Sequence, residues 1–259
     1  MCDRDAVRVA ALYDIHGNLP ALDAVLADVA RAHVDVIVVG GDVASGPLPA
    51  QTIDRLCALG SQTHFVRGNA DREVVAAFDT PSQPPGDDPA AQAAAFTASR
   101  LSRAQRDFLD GFEPTVMLEV HGLGRVLFCH GSPRSDTEVI TSATPDARLT
   151  PMVAGIDAPT VVGGHTHRQF DRRVQRWRVV NAGSVGMPYE GRRGAFWALV
   201  GPEIELRCTS YDVDSALPAL RAGGFTGTDE MLLESLVEPA DPDWVADYFE
   251  TQASASPTV

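Results

Sequence analysis

Five apolar runs along the chain each end on a polar residue able to bind a metal ion. VRVAALY (7–13) stops at Asp14 and His16, and VDVIVVGG (34–41) stops at Asp42. HFVRG (64–68) stops at Asn69, RVLFC (125–129) at His130, and PTVVGG (159–164) at His165 and His167. Runs of this length, rich in β-branched residues, predict buried strands. In open α/β sheets, ligands bind just beyond the carboxyl ends of strands. Seven oxygen and nitrogen donors are therefore expected on one rim, enough for two divalent ions that share a ligand. Two ions about 3.5–4 Å apart are a common device for hydrolysing phosphate esters.

The segments between the runs give the architecture. A helix is predicted over 19–33, capped by Asn18, with Leu19, Leu22, Val25, Leu26 and Val29 as its apolar stripe. A strand over 34–39 leads through GDVASGPLP to a short helix with Ile53, Leu56 and Leu59 inward and Gly60 as its stop. A third strand near 62–67 and a helix from about Asp71 complete a β-α-β-α-β pattern, which predicts a parallel sheet. Pro and Asp dominate 79–95, so a mobile surface insertion is expected there, with a lid over the site as the functional alternative. Ser102 and Gln105 form a capping-box pattern for a helix to about 111. Strand-like runs at 116–120, 125–129, 161–164, 178–183, 194–200 and 204–211 predict a second sheet. The expected class is α/β, a four-layer α-β-β-α sandwich with two mixed sheets. Residues 1–212 form the expected main domain. Helical patterns at 215–222, 229–237 and 242–249 form an extension (213–250) packed on it, and 251–259 form a frayed, disordered tail.

Composition narrows the function. The formal net charge is −14, and the chain has no lysine. Extended nucleic-acid binding needs a basic face and is not expected. Without lysine, Walker A loops and Schiff-base chemistry are excluded. Cys2, Cys57, Cys129 and Cys208 are scattered without a CxxC pair, as reduced thiols of a cytoplasmic protein would be. No apolar stretch reaches the length of a membrane span, and MCDRDAVRV carries acids where a signal peptide would be basic. The expected partner is a small phosphate ester; a homo-oligomer is compatible with the sequence.

Taken singly, the polar motifs are weak. Asp14-x-His16, Gly41-Asp42 and Gly68-Asn69 occur in many turns, whereas His165-x-His167 is costlier without a task. His33, His64 and His121 are expected to be structural or solvated. The ordered set DIHGN, GGDVASGP, RGNAD, HGSP and GGHTH, over residues 7 to about 186, resembles the calcineurin-like metallophosphoesterase superfamily. HGSPR (130–134) and NAGSVGMP (181–188) further resemble its small bacterial and archaeal branch of phosphodiesterases and phosphatases, which includes dinucleoside-polyphosphate hydrolases.

The resemblance implies that Asp14, His16 and His167 hold one divalent ion, that Asn69, His130 and His165 hold a second, and that Asp42 bridges them. Carboxylate, carboxamide and imidazole donors suit Mn, Fe, Zn or Ni. It also implies direct hydrolysis by metal-activated water, with Asn69 and His130 near the developing charge. Two divalent cations against two aspartates would attract an anion despite the overall charge. Asn18, Arg67 and Arg134 are candidate substrate contacts. Cys129 is expected to point into the core, because side chains alternate along a strand. Many family members carry His where Ala70 stands, and there it protonates the leaving group. Asp71 is the first alternative donor to consider. The enzyme alternative is a nucleotide or dinucleoside-polyphosphate hydrolase. The non-enzyme alternative is a binding scaffold on the same fold.

Overall fold

The computed structural model describes residues 6–81, 87–225 and 227–255. Its first sheet is built around β1 (Val9–Leu12), β2 (Val36–Val39) and β3 (Thr63–Phe65), all parallel. The crossovers are α1 (Leu19–Arg31) and α2 (Pro49–Cys57). Asn18 caps α1, its side chain accepting from the Ala21 N–H at 3.2 Å. Ala21, Leu22, Val25, Leu26 and Val29 are buried, as the apolar stripe predicts.

The second sheet has the order β4 (Thr115–Val120), β5 (Gly124–Cys129), β6 (Thr160–Gly163), β8 (Trp177–Asn181), β7 (Phe170–Val174). β5, β6 and β8 are parallel, while β4 and β7 are antiparallel at the edges. Both sheets are therefore mixed, with helices outside each, as expected.

Two strands depart from the sequence reading. β9 (Ala195–Val200) and β10 (Ile204–Thr209) do not continue the second sheet. They complete the first one, in the order β10-β9-β1-β2-β3, with β9 antiparallel to β1. The reason is burial on both faces of β9. Ala195, Trp197 and Leu199 face the helices, while Ala198 and Val200 face the other sheet. Only a strand inside a covered sheet meets both demands, and the free side of β1 provides that place.

Alternation along β1 and β5 defines the layers. Val9, Ala11 and Tyr13 join Val126 and Phe128 in the core between the sheets. Ala10 and Leu12 face α1 and α2. Leu127 and Cys129 face outward under α6 (Asp146–Val153), so Cys129 lies in the core, as predicted. The described cysteines Cys57, Cys129 and Cys208 are free thiols.

The expected insertion is partly helix. α3 (Asn69–Asp79) begins two residues earlier than predicted, and α4 (Pro89–Arg100) covers the end of the Pro/Asp-rich stretch. Asp88 caps α4 through the Ala90 N–H, Pro89 opens it, and the alanine-rich run that follows has high helix propensity. Residues 82–86 lie outside the described residues. α5 (Arg103–Asp110) carries the Ser102–Gln105 capping box.

After β10 come α7 (Val213–Ala222), α8 (Thr228–Leu232), a π-helical turn (Leu233–Val237) and α9 (Pro242–Ala255). They bury Leu217, Leu220, Leu232 and Leu236 against Leu48, Met187 and Tyr211. α9 runs past the predicted end at 249. Helix covers 251–255 of the predicted frayed tail, and 256–259 fall outside the described residues. The Glu250 carboxylate fixes α9 to the second sheet side, accepting from the Thr141 and Thr144 hydroxyls and from Arg148.

The sheets' carboxyl ends meet at NAGSVGMP. Ser184 Oγ donates to the Asp14 carbonyl at 2.7 Å, and the Asn181 amide donates to the Gly164 carbonyl at 2.6 Å. At Gly186, a Cβ would lie 1.7 Å from the Ile15 carbonyl oxygen, so only glycine lets these chains touch. Gly186→Ala is expected to force main chain apart. Overpacking of this kind costs about 1–3 kcal/mol or more. Thermal unfolding should show Tm lowered by several degrees; an unchanged Tm would show that the contact yields freely.

Candidate metal centre

The polar residues at the strand ends adopt an unusual backbone. Asp14, His16, Asp42, His165 and His167 have φ of 52°, 47°, 52°, 68° and 57°. Left-handed backbone in non-glycine residues clusters at functional sites. Here it turns the chain sharply after each strand, so that side chains of β1, β2 and β6 loops face one another. The loops also interlock: the His16 N–H donates to the Asp42 carbonyl at 2.9 Å and the Asp14 N–H to the Gly41 carbonyl at 3.1 Å.

Two groups result. Donor atoms of Asp14, His16 and His167 lie within 4.8 Å of one another, and so do those of Asp42, His130 and His165. Asp42 Oδ2 lies 3.4 Å from His130 Nε2 and 3.9 Å from His16 Nε2, between the groups. Asp14 Oδ1 lies 3.5 Å from His167 Nε2 and 3.9 Å from His130 Nε2.

Backbone carbonyls orient three of the imidazoles. Nδ1 of His16 meets the Ser45 carbonyl at 2.9 Å, Nδ1 of His130 the Gly40 carbonyl at 2.9 Å, and Nδ1 of His167 the Met187 carbonyl at 2.7 Å. A carbonyl only accepts, so each Nδ1 carries a proton and each Nε2 is the ring atom left to face an ion. Nε2 of His16 and Nε2 of His167 then face each other at 3.2 Å. Two lone pairs at that distance repel unless a proton or a metal ion lies between them.

Buried atoms without hydrogen-bond partners make the same point. Among the described residues they include Asp14 Oδ1, Asn69 Oδ1 and His130 Nε2. A buried polar atom left unpaired costs about 1–3 kcal/mol. One oxygen of each aspartate is occupied by backbone: the His165 N–H donates to Asp14 Oδ2 and the Ala70 N–H to Asp42 Oδ1, both at 2.9 Å. The donor set is thus pre-oriented and unsatisfied, and it fits divalent cations.

Charge points the same way. Burial raises the Asp42 carboxyl, but the His130 imidazole outweighs it and holds Asp42 well below the usual range. For Asp14, His167 likewise overcomes burial. Burial, then the neighbouring His130, pushes His165 down to about 4. Burial and then His167 lower His16. Charged carboxylates and neutral His16 and His165 are the forms that bind metal, whereas at His130 the Asp42 charge outweighs burial and pushes the imidazole up to about 10, so that an ion bound there displaces its proton.

Of the other candidates, Asn18, Arg134 and Asp71 have hydrogen-bond partners of their own. The Asn18 amide donates to the Gly186 carbonyl at 2.9 Å and its oxygen caps α1. Arg134 donates to the Glu138 carboxylate and to the Pro151 carbonyl. Asp71 is buried, and its two oxygens accept the N–H groups of Asp42 (2.8 Å), Val43 (3.0 Å) and Gly68 (3.0 Å). These bonds join the loops bearing Asp42 and Asn69. Burial, then the Asp42 charge, pushes the Asp71 carboxyl up to about 7, against the pull of those N–H donors. Arg67 makes no side-chain ion pair among the described residues, and its Nε is buried without a partner. His33, His64 and His121 are exposed, as expected. The orienting carbonyls of Gly40, Ser45 and Met187 escaped the sequence reading, since backbone groups leave no signature in residue type. So did Tyr189, stacked on His167 with ring centroids 5.3 Å apart.

Comparison with known proteins agrees with this picture. Residues 7–200 match the profile of the calcineurin-like phosphoesterase superfamily domain, and the chain belongs to that superfamily. Among solved structures it is similar to a metallophosphoesterase from Sphaerobacter thermophilus, at 22% identity and TM-score 0.69 over 88% of this chain and 98% of that one. It is also similar to hypothetical protein PH1004 from Pyrococcus horikoshii OT3, at 19% identity and TM-score 0.73 over 88% and 97% of the two chains. A putative diadenosine tetraphosphatase matches at 18% identity and TM-score 0.54 over 80% and 96%. No curated protein matches the sequence.

The bracing role of Asp71 is testable. Asp71→Asn would set an amide N–H2 against at least one backbone N–H. Metal affinity is expected to fall by about 10–100-fold, the usual effect of losing an orienting partner, with the fold retained by circular dichroism. Equilibrium dialysis against Mn²⁺ measures it; unchanged affinity would show that the loops hold their places without Asp71.

Proposed function

We propose that this protein is a binuclear metal-dependent phosphoesterase that cleaves phosphodiester or related phosphate-ester bonds. The observation that carries the proposal is the pair of buried donor groups with Asp42 Oδ2 between them. Asp14, His16 and His167 would hold one divalent ion, Asn69, His130 and His165 the other, and Asp42 both. Oxygen and nitrogen donors without thiolate favour Mn, Fe, Zn or Ni. Such ions, when bound, polarise phosphoryl oxygens and acidify water.

The protein supplies the geometry. Fixed ring orientations of His16, His130 and His167 aim each Nε2 before any ion arrives, which limits reorganisation during reaction. Ala70 gives the substrate no acid group, and its N–H is spent on Asp42. Asp71, with both oxygens engaged by backbone, does not replace it. The site therefore suits substrates whose leaving groups need no proton, namely aryl diesters and phosphoanhydrides. A non-catalytic scaffold is disfavoured, because a docking surface gains nothing from left-handed ligands and unpaired buried donors.

The first test is a hydrolysis panel on protein reconstituted with Mn²⁺, using chromogenic diesters, nucleotides and alkyl monoesters. Metal-dependent diester cleavage is expected, and its absence with every metal tried would refute the proposal. Asp42→Ala should reduce kcat by several orders of magnitude while circular dichroism stays native; near wild-type turnover would show that Asp42 bridges nothing. Across a series of esters, the rate should fall steeply as leaving-group pKa rises. General acids typically contribute about 10²–10⁴-fold, so a flat response with chemistry rate-limiting would mean that some other residue supplies the proton.

A further inference from the structure

Left-handed backbone at His165 and His167 persists only where the surrounding structure holds it in place. Several of the holds come from the two sheets and their loops. Asp14 Oδ2 accepts the His165 N–H at 2.9 Å, the Thr166 hydroxyl donates to the Ile140 carbonyl at 3.1 Å, and the Tyr189 N–H donates to the His167 carbonyl at 3.2 Å. Another comes from far along the chain. Arg168, next to His167, donates to the Pro242 carbonyl at 2.7 Å and to Asp243 Oδ1 at 3.0 Å. Both acceptors lie in the first turn of α9, beyond residue 200, where the superfamily domain ends. The Asp243 side chain is 89% exposed, so its ion pair contributes little. The part-buried bond to the Pro242 carbonyl is the effective link.

α9 is seated directly behind the histidine loop. Its Val245 and Ala246 are buried, and with Phe249 they line the same gap as Thr166, Arg168 and Phe170. That gap is only about 10 Å³, no more than one water needs. Glu250, two turns further and about 12 Å along the helix axis, accepts from the Thr141 hydroxyl at 2.7 Å, and also from Thr144 and Arg148. Thr141 follows Ile140, whose carbonyl holds Thr166. The helix is thus fixed at both ends, and the loop bearing His165 and His167 lies between the fixed points.

We infer that α9 is a positioning element of the metal centre, which acts through Arg168 to hold the backbone on which His167 meets Asp14 and His16. The inference rests on the two-ion reading and adds to it an element that carries no ligand. A 14-residue helix is marginal in water by itself, so α9 and the loop order each other. Whatever favours the loop geometry, an ion at His167 included, favours the docked helix in return. Asp42, Asn69 and His130 stand on other loops, so the second ion keeps three of its ligands whatever α9 does.

The test titrates full-length wild type, Arg168→Ala, Arg168→Lys and Glu250→Ala with Mn²⁺ by calorimetry. Wild type should bind two ions. Arg168→Ala should weaken one step about 10–100-fold, the range for losing a residue that orients a ligand, and leave the other step unchanged. Arg168→Lys keeps a donor for the Pro242 carbonyl and should recover part of the loss. Glu250→Ala, at the far end of the helix, should weaken the same step, and the double variant should be no weaker than the weaker single, because both act through one element. In wild type, amide hydrogen exchange along α9 should slow when Mn²⁺ is added. Should Arg168→Ala fail to fold, Glu250→Ala and the wild-type exchange decide. Metal-free variants with a lower Tm but unchanged Mn²⁺ affinity would make α9 a structural helix only, overturning the inference and leaving the two-ion reading intact. A loss confined to Arg168→Ala, with Glu250→Ala and α9 exchange unaffected, would place the effect in the loop alone and also overturn it. Failure of wild type to bind two ions would overturn the two-ion reading, and the inference with it.

Discussion

Positive φ at Asp14, His16, Asp42, His165 and His167 is the constraint from which the site follows. For an L-residue this backbone costs about 1–2 kcal/mol, and each instance sits at the end of a buried strand. The cost is offset locally by hydrogen bonds between the loops, such as His16 N–H to the Asp42 carbonyl. What the strain provides is direction. A strand continuing straight would carry these side chains past one another; the left-handed turn brings them face to face across the join of two sheets.

Close approach of main chains is the second requirement. Gly40 leaves room for the Tyr13 ring, where a Cβ would fall 1.9 Å from it, and the Tyr13 hydroxyl donates to the Val162 carbonyl across the sheets at 3.0 Å. Gly186 lies against Ile15 in the same way. Asp71 then joins the second and third loops by three N–H bonds. The donors are held by backbone on nearly every side, so that the site is organised before any cation enters it.

The ligand-bearing loops were legible in the sequence because buried parallel strands are continuous apolar runs, and a polar residue that ends such a run stands out. Sheet membership was not equally legible. GAFWALV looks the same whether it pairs with β8 or β1; the choice depends on which sheet has a free side, a long-range fact. FDRRV became β7 with only Phe170 and Val174 buried, and three polar residues between them hide that edge strand. PAAQAAA was hidden by the Pro/Asp stretch before it, although Asp88-Pro89 is itself a helix start. At the site, residue types marked the candidate donors, while the hydrogen bonds made by Asn18, Asp71 and Arg134 needed geometry, because their partners are backbone groups or a neighbouring carboxylate.

The central claim is that two cations share Asp42. Anomalous diffraction from crystals of Mn²⁺-reconstituted protein measures it directly. The account predicts two peaks about 3.5–4 Å apart, one among Asp14, His16 and His167, the other among Asn69, His130 and His165, with Asp42 between them. A single peak in fully loaded protein, or two peaks with Asp42 turned away from either, would contradict it.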